Sequence, residues 1–109
     1  MGLSEARERV IVLFDFYEAL LTPRQREIFT MHYMDDCSLA ETGESAGITP
    51  QAVADMLKRT TGRLKHYEKL LGLAEKHEKQ VEMLEKIKEL SGNNENSEEI
   101  KELIETLTV

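Results

Sequence analysis

The sequence predicts an all-α protein built around a helix-turn-helix, with a helix ahead of it and a helical extension behind. Three observations lead there. Apolar residues recur at steps of three and four, the period of an amphipathic helix, and runs alternating with the period of two that a half-buried strand needs are missing. Proline occurs only at positions 23 and 50, each directly after a threonine. A capping threonine followed by proline marks where a helix begins. Gly47 separates a short capped segment from a long one, the arrangement of two helices joined by a tight turn.

Val10, Leu13, Phe14, Tyr17, Leu20 and Leu21 form the apolar face of the first predicted helix, with Ser4 as its N-cap and Glu5 in its first turn. Thr22 caps a second helix, in which Pro23 takes the first position and Gln25 closes a capping box. Ile28, Phe29, Met31 and His32 follow at helical spacing, and Met34 to Cys37 make a polar break. Ser38 and Glu41 form a second capping box, opening a short helix that carries Leu39, Thr42 and Ala46. Gly43 inside it costs about 1 kcal/mol relative to alanine. Gly47 is placed to end that helix in the left-handed conformation, with Ile48 tucked beside it. Thr49 and Pro50 then open a longer helix with Val53, Leu57, Thr60, Leu64, Tyr67 and Leu71 on one side.

From Gly72 to Leu90 the chain is highly charged, and Leu73, Val81, Leu84, Ile87 and Leu90 make a narrow seam, as in a helix that packs on one partner. Ser91 to Asn94 reads as a turn. Asn96 with Glu99 is placed to cap a last helix bearing Ile100, Leu103, Ile104 and Leu107. The expected organisation is a helix-turn-helix domain over residues 1–71 and a C-terminal extension over 72–109 that serves oligomerisation, giving a homodimer.

The 109 residues are 40% hydrophobic and 32% charged, a globular composition, and no stretch is apolar for long enough to cross a bilayer or form a signal-peptide core. A cytoplasmic protein without membrane insertion is expected. The formal charge of −7 argues against coating nucleic acid by charge alone. The charge is unevenly placed: residues 47–69 hold 5 Lys/Arg against 2 Asp/Glu, whereas 1–46 hold 4 against 9 and 70–109 hold 5 against 10. The net-basic stretch therefore coincides with the helix that begins at Pro50.

In a helix-turn-helix the second helix enters the major groove and presents its first turns to base edges. Gln51, Ala52 and Asp55 are the candidates here: glutamine pairs bidentately with adenine and alanine touches a thymine methyl, whereas Asp55 counts against the reading, since a carboxylate in the groove repels phosphate unless it accepts from cytosine. Lys58, Arg59, Arg63 and Lys65 suit phosphate contacts, as do Ser38 and Thr49 at the two helix starts. The same geometry also serves proteins that bind only other proteins, and Lys58, Arg59 and Arg63 then form a solvated face.

No enzyme is read here. His32, His66 and His77 are far apart and lack metal-ligand spacing. Asp35 and Asp36 lack the glycine and glutamate of an EF-hand, and the single Cys37 has no histidine signature beside it. Phosphate-binding glycine loops and paired catalytic carboxylates are also missing, so no cofactor, metal or catalytic residue is expected.

Leu21 to Glu27, Tyr33, Ser38 to Glu41, Ala46 to Thr49 and Val53 resemble region 4 of bacterial sigma factors, the helix-turn-helix that reads the −35 promoter element. The chain is more closely similar to the YlxM-type family of small bacterial helix-turn-helix proteins, through Leu21 to Arg26, Tyr33 to Leu39, Gly47 to Val53, Lys58 to Thr60, and Tyr67 with Glu68. This resemblance spans roughly residues 5–90. It implies an all-α fold, a regulatory role and a link to the signal recognition particle pathway, with components of that particle as partners. Three departures stand out. Pro50 replaces the basic residue that often precedes Gln-Ala-Val, Ala54 replaces a bulky residue, and Gly43 interrupts the short helix. The implied function is a DNA-binding regulator. The alternative is a protein- or RNA-binding accessory factor of protein targeting that does not bind DNA; the −7 charge and the acidic C-terminal third favour protein contact over broad nucleic-acid affinity.

Overall fold

A computed structural model describes residues 3–90 and 97–107, in which every regular element is helical. The elements are α1 (Leu3–Tyr17), α2 (Pro23–Phe29), α3 (Leu39–Ala46), α4 (Pro50–Leu71), α5 (Leu73–Leu90) and α6 (Ser97–Leu107). The turn at Ser91 to Asn94 and the Asn96 cap lie outside the described residues, as do the side chains of the expected apolar face of α6. The chain divides into two compact units between Gly72 and Leu73.

In the first unit α4 is the hub, packing against α1, α2 and α3. Its buried side chains are Val53, Leu57, Thr60 and Leu64, at the three- and four-residue steps that keep one face inward. Ile28 of α2 joins Val53 and Leu57 in one cluster, with Met31, Tyr33, Ala46, Ile48 and Met56 packed around it. From α1 come Val10, Leu13, Phe14 and Tyr17, all buried. Phe14 stacks on Phe29 at 4.3 Å between ring centroids, and Phe29 on Tyr33 at 4.5 Å. Tyr17 donates its hydroxyl to Glu68 Oε1 at 2.6 Å, tying α1 to the end of α4.

Three boundaries differ from the sequence expectation. α1 begins at Leu3, so Ser4 lies inside the helix instead of ahead of it. After Tyr17 the chain tightens into a 3-10 turn over Glu18–Leu20, closed by Leu21 N–H donating to the Glu18 carbonyl at 3.0 Å. Three residues per turn instead of 3.6 rotate Leu20 outward to 53% exposure, while Leu21 stays buried. Beyond Phe29 the helix widens into a π turn over Thr30–Met34, in which Asp35 N–H reaches back to the Thr30 carbonyl at 3.0 Å. The helix ends at Met34, so its last carbonyls have no intrahelical partners. The Arg7 guanidinium answers two of them, donating to Tyr33 O at 2.8 Å and His32 O at 3.2 Å while pairing with Asp36 at 2.9 Å. Asp36 adopts φ 55°, a left-handed conformation that Asp tolerates better than most residues.

In the second unit α5 and α6 pack on each other. Val81 and Leu84 of the expected seam are half-buried, whereas Met83 and Leu90 are 64% and 87% exposed.

Candidate nucleic-acid interface

The helix-turn-helix is set by its caps. Ser38 Oγ accepts from Glu41 N–H at 3.0 Å, and Glu41 returns a carboxylate oxygen to Ser38 N–H at 2.9 Å, closing the capping box at the start of α3. The Ser38 backbone N–H, and after it the Ser38 hydroxyl, hold the Glu41 carboxyl below its ordinary pKa. α3 ends on Gly47 at φ 74°, a left-handed cap whose N–H bonds the Gly43 carbonyl. Ile48 N–H donates to the same carbonyl at 2.9 Å. Thr49 then turns to extended backbone and caps α4, its Oγ1 accepting from Ala52 N–H at 3.1 Å, with Pro50 at the first helical position.

Gly43 makes this turn possible. A Cβ at that position would lie 2.6 Å from the Ile48 carbonyl oxygen and 3.3 Å from Pro50 N. The helical cost of the glycine is thus offset by letting the turn lie directly against α3. Arg24 of α2 holds the other side, donating to the Ala46 carbonyl at 2.6 Å. Arg24 and Ala46 are 22 residues apart, beyond the reach of local patterning, and the close approach at Gly43 depends on how the turn folds back over α3.

The expected base-facing residues emerge at the open start of α4. Gln51 and Asp55 are exposed and Ala52 is half-buried. At about 100° per residue, Gln51 and Asp55 stand about 40° apart on the surface opposite the Val53–Leu57 stripe. Gln51 Nε2 donates to Asp55 Oδ1 at 3.2 Å.

Lys58, Arg59, Arg63 and Lys65 are all exposed further along α4. Lys58 falls nearly in line with Gln51, while Arg63 and Lys65 flank the stripe on either side. The cations of the first unit divide sharply. Arg7 and Arg9 pair with Asp36 and Glu68, Arg24 with Glu27 and the Ala46 carbonyl, and Arg26 donates to the carbonyls of Leu21 and Glu18. Among the described residues neither these four cations nor Lys69 in the last turn of α4 has a carboxylate partner; Arg63 reaches only the Tyr67 hydroxyl, at 3.5 Å. The two helix starts also differ. Ser38 shares its place with the Glu41 carboxylate, whereas the first turn of α4 carries no acid.

The matching family model is described as "Putative helix-turn-helix protein, YlxM / p13 like", and it covers residues 4–104. The chain belongs to this family. The UPF0122 protein YlxM of Bacillus subtilis is 43% identical over 103 residues, 94% of each chain. A UPF0122 protein of Halalkalibacterium halodurans is 43% identical over 99 residues, 91% of each. One from Caldanaerobacter subterraneus subsp. tengcongensis reaches 51% over 78 residues, 72% of this chain and 67% of that protein. The family is a helix-turn-helix family. Among the described residues no helix is long and apolar enough to cross a membrane.

Proposed function

We propose that the protein is a cytoplasmic DNA-binding regulator that reads the major groove with the start of α4. The observation that carries this reading is the division of cations: those on α1 and α2 are engaged with internal acceptors, while Lys58, Arg59, Arg63 and Lys65 stand open along α4. In this reading Gln51, Ala52 and Asp55 meet base edges, and the four cations meet phosphates on either side. Thr49 offers a second type of phosphate contact, through its hydroxyl and the acid-free helix start behind it. Ser38 plays the same part less strongly, because the Glu41 carboxylate repels phosphate there.

Two copies would present two reading helices to successive turns of the duplex. We place the dimer contact in the extension, where α5 carries exposed Met83 and Leu90. Light scattering on the Met83→Lys/Leu90→Lys double variant tests it: a shift to monomer is expected, and an unchanged mass refutes this placement.

The DNA reading is tested by fluorescence anisotropy on random duplex across a salt series. Four cations each neutralising one phosphate give a log–log slope of about −3.6, and Arg59→Ala with Arg63→Ala brings it to about −1.8. Absence of binding at low salt would favour the second reading, an accessory factor contacting protein or RNA components of the signal recognition particle. The net charge of −7 and the acidic extension favour contact with protein over broad nucleic-acid affinity.

A further inference from the structure

Asp55 is the only carboxylate on the outward side of α4, since the other acid of that helix, Glu68, is engaged by Tyr17 and Arg9. A lone anion amid open cations opposes binding to a polyanion. Among the described residues its one side-chain partner is the Gln51 amide, which donates to it at 3.2 Å. We propose that Gln51 and Asp55 form one reading unit that selects adenine, with Asp55 trading general affinity for selectivity. The inference rests on the DNA-binding reading above and deepens it.

The argument is one of donors and acceptors. The reversed amide would set its carbonyl oxygen against the carboxylate, two acceptors facing each other. Asp55 therefore fixes Gln51 with nitrogen toward the carboxylate and oxygen away. Only one of the two amide N–H groups is used. In the proposed unit the bonded N–H is the one trans to Oε1, so the other, beside Oε1, leaves an outward edge with one donor and one acceptor. Adenine presents the complement in the major groove, an N7 acceptor beside an N6 amino donor. Guanine offers two acceptors at the same edge, and a fixed amide matches only one. The unbonded carboxylate oxygen of Asp55 further disfavours guanine and thymine at the adjoining pair, whose groove edges present acceptors.

The test uses the full chain and a library of randomised duplexes, followed by anisotropy on an enriched duplex and on one fixed random-sequence duplex. Wild type is expected to enrich adenine at one position per site by roughly ten- to a hundredfold. Asp55→Asn keeps an acceptor for Gln51 but no charge, so it should bind the random duplex several-fold tighter while retaining the adenine preference. Asp55→Ala should also bind the random duplex tighter, yet lose most of that preference. Gln51→Ala should lose the preference without the gain in affinity. All three changes are at exposed helical positions, and circular dichroism checks that each variant folds. Duplex binding with undiminished adenine selectivity in Asp55→Ala, or enrichment of another base by wild type, overturns the inference alone. No binding to any duplex overturns the DNA reading and this inference with it.

Discussion

Replacing Gly43 by alanine sets two known effects against each other. In an ordinary helix interior the change gains about 1 kcal/mol. Here the new Cβ falls 2.6 Å from the Ile48 carbonyl oxygen, where ordinary contact begins at 3.4 Å. The neighbours at 2.6 and 3.3 Å are all backbone, so no side chain can swing aside. That backbone is pinned on both sides, by Gly47 and Ile48 bonding the Gly43 carbonyl and by Thr49 capping α4. Relief requires the whole turn to move off α3, placing the cost near the upper end of overpacking, roughly 3 kcal/mol. The net loss is about 2 kcal/mol. Gly62 supplies the contrast, being exposed in mid-α4 with nothing within 4 Å of an added Cβ. Gly62→Ala should therefore gain up to about 1 kcal/mol, leaving the two variants about 3 kcal/mol apart. Urea denaturation measures both, with the loss in Gly43→Ala appearing as a midpoint lower by about 1 M at a slope of about 2 kcal/mol per molar. A Gly43→Ala protein as stable as wild type would refute the claim that this glycine sets the helix-turn-helix spacing.

Other expectations follow from single contacts. Arg24→Ala leaves the Ala46 carbonyl without its 2.6 Å donor and should cost about 1–3 kcal/mol in the same assay, with lysine restoring part of it. Thr60 is buried with an unpartnered hydroxyl, so the near-isosteric Thr60→Val should stabilise by about 1 kcal/mol; a loss would show that the hydroxyl has a partner in solution. Glu41 is held below its ordinary pKa of 4.5, so its charged form stabilises the fold above that pH, and the benefit is lost as pH falls through the lower folded value. The stability gap between wild type and Glu41→Gln should accordingly stay constant at neutral pH and shrink below about pH 4.5. A gap that is constant into acid would contradict the capping role of the charge.

Much of this fold was legible because helix starts and stops are written locally. The Thr22, Ser38 and Thr49 caps and the left-handed Gly47 each depend on residues within a few positions, and each appears as expected. What escaped reading depends on distant partners. The π turn after Phe29 is completed by Arg7, 25 and 26 residues away from the carbonyls it answers. Leu20 leaves the apolar face because a tighter turn intervenes, and a pattern of spacing assumes an unbroken helix. Gly43 looked like a local weakness until the turn closed over it. At the candidate interface the exposure of Gln51 and Asp55 followed from the stripe opposite them, whereas their mutual hydrogen bond required side-chain geometry. The internal use of Arg7, Arg9, Arg24 and Arg26 was equally invisible, since charge counting cannot distinguish an engaged cation from an open one.

Amide chemical shifts of the labelled full chain, followed as duplex DNA is added at low salt, test the placement of the reading face most directly. The account predicts that the largest changes fall at Thr49 to Asp55 and along Lys58 to Lys65, with smaller ones at Ser38. Changes concentrated in α5, or spectra that do not respond to duplex, would contradict it.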